Sequence, residues 1–169
     1  MAAARPGATS GHRPRADTCR PGIGAARDTI RLTLPADPES VRVALMRIAA
    51  ELLGAGIDEE DAATAELVLA EVLNNVVEHA FRGFGAGWIE VTIAPEQAEL
   101  ACEVRDNGRT MPGGTLPAGS APACVKAPEA LPEGGFGWFL IHSLARELAY
   151  ARESGANVLG LRIPLTART

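Results

Sequence analysis

Long apolar runs are missing from this 169-residue chain. No stretch approaches the ~18 consecutive apolar residues of a membrane-spanning helix, so no membrane association is expected. The first residues lack the apolar segment of a secretory signal. They are rich in Arg and poor in acids, as organellar transit peptides are, but carry no apolar stripe that would make them amphipathic. Cysteine is scarce. Cys19, Cys102 and Cys124 are an odd number at unrelated spacings, which argues against a disulfide framework or a zinc site and for a reducing, cytoplasmic compartment. Aromatic residues make up only 4% and the net charge is −5. The basic surface and stacking rings of a nucleic-acid binder are therefore lacking.

What is present is an ordinary globular composition, 47% hydrophobic and 22% charged, with length for one domain and a real core. The charge is uneven. Residues 1–27 hold five Arg and one Asp, which is +4, so residues 28–169 carry −9. An acidic body suits a protein partner or a metal–nucleotide. Residues 1–27, full of Ala, Gly, Pro and Arg without apolar periodicity, are expected to form a disordered tail; residues 166–169 form a short C-terminal one.

Between the tails, periodicity gives the elements. Residues 28–35 alternate, with Ile30, Leu32 and Leu34 on one face, as a strand does. Asp37 and Pro38 open a helix as N-cap and first residue, which closes at Gly54 or Gly56. A second helix is expected over about residues 60–81, its apolar arc built from Val68, Leu69, Val72, Leu73, Val76 and Val77. Beside that arc, Glu71, Asn75 and His79 stand four apart on one slowly drifting stripe. Such a stripe is either the solvated face of an amphipathic helix or a ligand-facing row. An Asn next to a Glu at this spacing can hold hydrated Mg²⁺ and orient a base, because Mg²⁺ takes oxygen ligands and keeps most of its waters.

Residues 88–93 and 99–104 alternate and read as a hairpin. Leu100, Cys102 and Val104 share a face, and by parity Asp106 continues it, an expensive place for a carboxylate unless something pairs with it. Asp106-Asn107-Gly108 carries a turn signal, yet no alternating strand follows. Residues 109–134 are a long stretch rich in Pro and Gly, the length of a lid or binding loop. It leads into Gly134-Gly135-Phe136-Gly137 and an apolar helix through Trp138, Leu140, Ile141 and Leu144. Glycines at a helix N-terminus can cradle phosphate. Two final strands are expected at about 148–152 and 157–163, with Leu159, Leu161 and Ile163 facing inward.

The order of these stretches resembles the histidine-kinase-like (GHKL, or Bergerat) ATP-binding domain shared by histidine kinases and gyrase. It is most similar to the stand-alone anti-sigma-factor serine kinases of bacterial partner-switching systems. Glu71-Val-Leu-Asn-Asn75-Val-Val-Glu-His79-Ala80-Phe81 resembles that branch's N-box, Asp106-Asn-Gly108 its first glycine box, and Gly135-Phe-Gly137-Trp-Phe-Leu-Ile141 its second. The likeness covers about residues 28–165.

The resemblance implies an α+β two-layer sandwich, with a mixed, mostly antiparallel sheet, helices on one face and an ATP lid at about 107–134. It implies ATP and Mg²⁺ as cofactors, Asn75 as the metal ligand and Glu71 as general base. Asp106 would accept from the adenine amino group. Gly108, Gly135 and Gly137 would line the nucleotide, with His79 either beside it or packing the helix. Partners would be a sigma factor and an anti-sigma-factor antagonist of the STAS type, and the chain would be a homodimer. One departure stands out: the first glycine box ordinarily has another glycine where this chain has Thr110, which bears on lid mobility and on turnover more than on ATP binding. Two other readings fit the same motifs, a non-catalytic ATP-binding regulatory module and a detached catalytic domain of a two-component histidine kinase.

Overall fold

The computed structural model describes residues 29–83, 85–119 and 135–166. The N-terminal tail to residue 28, residues 120–134 of the expected lid and the last three residues lie outside the described residues.

The chain runs β1 (Ile30–Pro35), α1 (Pro38–Gly54), α2 (Glu59–Asn75), β2 (Trp88–Pro95), β3 (Glu99–Asp106), α3 (Gly135–Leu144), β4 (Arg146–Glu153) and β5 (Ala156–Pro164). The strands form one sheet in the order β1-β2-β3-β5-β4. All four pairings are antiparallel, so the sheet is more regular than the mixed one expected. Burial alternates strictly along β1, while β2 and β5 each bury four consecutive residues. Leu32, Ile89, Val91, Ile93, Leu100, Val104, Leu161 and Ile163 share one core with Ile48, Leu52, Leu69, Leu73 and Ile141 from the helices. Truncating a fully buried member such as Leu73 to Ala removes contacts worth ~2–5 kcal/mol.

Helix α1 begins where the chain codes for it. Asp37 accepts from the Ser40 N–H at 2.9 Å and from the Ser40 hydroxyl at 2.7 Å, and these bonds hold its carboxyl below the usual carboxylate range. The helix ends as Gly56, at φ +80°, turns the chain left-handed. The Gly56 N–H then donates to Leu53 O and the Ile57 N–H to Leu52 O, each at 3.0 Å, satisfying two terminal carbonyls.

Helix α2 opens on Glu59, Glu60 and Asp61, acids at the positive end of its dipole. Asp61 is buried and receives the Thr166 N–H and hydroxyl, pinning the end of β5's extension to the start of α2. The expected single helix to residue 81 divides. After Asn75 the chain makes a π-turn over Val76–Ala80, which widens the helix where such bulges often serve a site.

At one end of the sheet Arg162 holds Glu96 at 2.9 Å and Glu99 at 2.5 Å, and reaches Glu147 at 2.9 Å. Glu147 sits at φ +51° in a register shift of β4. The opposite end of the sheet carries the candidate site.

Candidate functional site

Registers of β2, β3, β5 and β4 place Ile89, Asp106, Asn157 and Arg152 in one row across four strands. The next row on the same face holds Val91, Val104, Leu159 and Tyr150. Polar residues thus take over the inward face just where the strands end, under the π-turn.

Asp106 is 4% exposed. Its Oδ1 accepts from the Gly108 N–H and from Asn157 Nδ2, both at 2.8 Å. Burial pushes its pKa above the ordinary carboxylate value, opposed by those two hydrogen bonds and by the nearby Arg152 guanidinium. The sequence offered Asp106 no partner; folding supplies Asn157 from 51 residues away. Asn157 is a functional candidate missed in the sequence, although the same parity that turns Leu159 and Leu161 inward also turns Asn157 inward.

Above this row lies a cavity of about 570 Å³, lined by Val72, Val76, Ala80, Val104, Met111 and Leu159 among apolar residues, with Asn75, His79, Asp106 and Asn157 supplying polar groups. The size and the mostly apolar wall, with few convergent polar atoms, suit a small organic ligand. Both bonds to Asp106 end on Oδ1, so Oδ2 is the oxygen left for a ligand. Among the expected site residues, the structure therefore brings Asn75, His79 and Asp106 to one cavity.

Glu71 and Gly137 meet one step away. A Cβ placed on Gly137 would stand 2.5 Å from Glu71 Oε2 and 3.4 Å from Asn75 Nδ2, so the Glu71 carboxylate lies against the first turn of α3 because residue 137 has no side chain. Gly135 is the first residue of α3. Asn75 Nδ2 donates to Glu71 O at 2.7 Å, which leaves its Oδ1 for another partner. Gly108 is buried against the π-turn: a Cβ there would meet Ala80 Cβ at 2.7 Å and Ala80 O at 2.8 Å. The Arg109 N–H donates to that same Ala80 carbonyl at 2.9 Å.

The described part of the long loop stays close to the site. Met111 and Pro117 line the cavity, and Pro117 O lies 3.0 Å from His142 Nε2 on α3.

The chain belongs to the histidine kinase-like ATPase domain family, whose pattern matches residues 34–163. Its relatives carry a more particular name. It is 30% identical to serine-protein kinase RsbW of Listeria monocytogenes over 138 residues, 81% of this chain and 88% of that one. It is 27% identical to serine-protein kinase RsbW of Bacillus mycoides over 133 residues, 78% and 82% of the two chains. A crystal structure of the RsbU and RsbW domains of a Mycobacterium tuberculosis protein shares the fold, with a TM-score of 0.55 at 17% identity. That match covers 83% of this chain and 33% of the other. No helix among the described residues is long and apolar enough to cross a membrane.

Proposed function

We propose that this chain is a cytoplasmic ATP-dependent protein-serine kinase and anti-sigma regulatory factor, working as a homodimer. It sequesters a sigma factor and phosphorylates a serine of a STAS-type antagonist protein. The observation that carries this reading is the convergence of a buried, oriented carboxylate (Asp106), an apolar cavity of purine size, and the Glu71–Asn75–Gly137 junction at the start of α3. The relatives named serine-protein kinase support the reaction class.

Each residue has a distinct task in this reading. Asp106 Oδ2 accepts from the 6-amino group of adenine, which lies against Val72, Val104 and Leu159. The first turn of α3 offers its N–H groups and the positive end of its dipole to the phosphates, Gly135 and Gly137 leaving room for close approach. Gly108 lets the loop after β3 lie flat on the π-turn, and His79 stands at the cavity rim. Asn75 fits a magnesium ion that arrives with the nucleotide. Its Oδ1 is an oxygen donor, and no group of three His, Cys, Asp or Glu among the described residues forms a dedicated cage. When bound, the ion neutralises phosphate charge. Glu71 takes the proton of the attacking serine hydroxyl.

Single-turnover transfer from labelled ATP to the antagonist tests this, with nucleotide affinity measured on the same samples. Glu71→Gln keeps shape and hydrogen bonding but not basicity, so transfer should fall by about 10²–10⁴ with affinity within a few-fold. Asn75→Ala should impair both. Full transfer by Glu71→Gln removes Glu71 from catalysis. ATP binding without transfer by the wild type to any antagonist makes the chain a non-catalytic module.

A further inference from the structure

The polar row under the cavity contains an amide whose orientation admits no choice. Asn157 Oδ1 accepts from Arg152 Nη1 at 2.7 Å and from the Tyr150 hydroxyl at 2.7 Å. Arginine only donates, so the atom facing it is the carbonyl oxygen. The Tyr150 oxygen is itself the acceptor for the Met111 N–H at 3.0 Å, which directs its proton to Asn157. The amide nitrogen must then face the other way. Its two hydrogens go to Asp106 Oδ1 at 2.8 Å and to Arg109 O at 2.9 Å. Every hydrogen-bonding position of this amide is engaged, and Asn157 is 5% exposed.

This order of donors has a chemical consequence at Asp106. Oδ1 faces two N–H groups, from Asn157 and Gly108, and cannot carry a proton toward either. Both bonds favour the carboxylate over the acid and oppose the burial that would neutralise it. We propose that Asn157, locked by Tyr150 and Arg152, is a positioning residue that holds Asp106 as a hydrogen-bond acceptor and thereby sets the preference for a 6-amino over a 6-oxo purine. An acceptor matches the N6 amino group of adenine and opposes the O6 of guanine or hypoxanthine. A protonated or turned carboxyl matches the oxo group.

The same three side chains grip the loop that leaves β3. Arg152 Nη1 donates to Gly108 O at 2.8 Å, Asn157 to Arg109 O, and Tyr150 receives the Met111 N–H. The base-reading carboxylate and the first residues of the long loop are therefore held by one lock. This inference rests on the reading of the cavity as a nucleotide site.

The test uses the full chain and two nucleotides that differ in the 6-substituent and in the proton that the 6-oxo base carries at N1, ATP and ITP, with dissociation constants from calorimetry and a melting curve for each variant. Wild type should prefer ATP by about tenfold or more, the weight of one matched hydrogen bond against a mismatched one. Tyr150→Phe combined with Arg152→Met strips the amide oxygen of both its donors and leaves the side chain held from one side only, so the preference should shrink to within about threefold, mainly through weaker ATP binding. Asn157→Asp faces Asp106 with a second carboxyl, the two sharing a proton, and should shrink it likewise. Arg152→Lys keeps a donor to Asn157 Oδ1 and should keep the wild-type ratio. Arg152→Met alone carries the test where the double variant does not fold, with a partial loss of the ratio expected. Variants that fold and retain the full ATP preference overturn the role of Asn157 and leave nucleotide binding standing. Wild type that binds neither nucleotide overturns the nucleotide site itself.

Discussion

Asp106 concentrates a conflict between stability and recognition. Its pKa is raised by burial, so ionising it costs the folded chain more than the unfolded one. The penalty is absent below the unfolded carboxyl's pKa near ~4. It grows as pH rises from there and is complete above the raised folded value. Asp106→Asn keeps an oxygen for the Asn157 and Gly108 donors and carries no charge. The variant should melt higher than wild type at pH 7, with the advantage fading as pH falls toward 4, while ATP binding weakens by ~1–3 kcal/mol. A lower melting temperature at pH 7 would show that the ionised carboxylate contributes net stability. Cys102, also inward on β3, has its thiol pushed up to about 12 by burial. It is packing, not a nucleophile.

At the scale of elements, two glycines that the sequence marks alike as nucleotide-lining candidates have different surroundings in the fold. Gly108 lies under backbone. The atoms that a Cβ would strike belong to the π-turn at Ala80, which cannot move aside without breaking the Arg109–Ala80 hydrogen bond. Gly108→Ala should therefore destabilise the fold by ~1–3 kcal/mol, the usual cost of overpacking, readable as a drop in the denaturant midpoint. Gly137 lies under the end of a side chain. Glu71 can swing away, and Ala is worth up to ~1 kcal/mol over Gly inside a helix. Gly137→Ala should thus leave stability unchanged or raised while moving Glu71, so that transfer falls more than ATP affinity does. Equal losses in both would place the effect on the phosphates instead.

For the whole molecule, ligand binding and folding are linked because the cavity is built from both layers. Val72, Asn75 and Val76 come from the helical layer, and Val104, Asp106, Asn157 and Leu159 from the sheet. The unfolded chain offers no such arrangement. Mg·ATP at about 100 times its dissociation constant should add ~2.7 kcal/mol to stability, several degrees in melting temperature for a domain of this size. Asn75→Ala should remove the magnesium-dependent part of that shift. A melting temperature indifferent to Mg·ATP would place nucleotide binding elsewhere or nowhere.

What local sequence decides is visible in this chain wherever a signal repeats within a few residues. The apolar alternation of β1, the Asp37–Pro38 start of α1, the Gly56 stop and the apolar arc of α2 are each short-range codes, and the structure follows them. The parity of β3 put Asp106 inward, and the four-residue spacing put Glu71 beside Asn75. Other features needed the tertiary fold. The π-turn after Asn75 has no local breaker residue to announce it, since Val76–Ala80 reads as continuous helix. The antiparallel pairing of β3 with β5 joins residues from 51 to 65 positions apart, and only that pairing sets Asn157 against Asp106. The meeting of Glu71 with Gly137 depends on how α3 lies on α2. A strand's period says which residues face inward, but hydrogen bonds between strands decide which of them meet. Burial then makes that meeting matter, because a carboxylate removed from water needs its partners supplied by the rest of the chain.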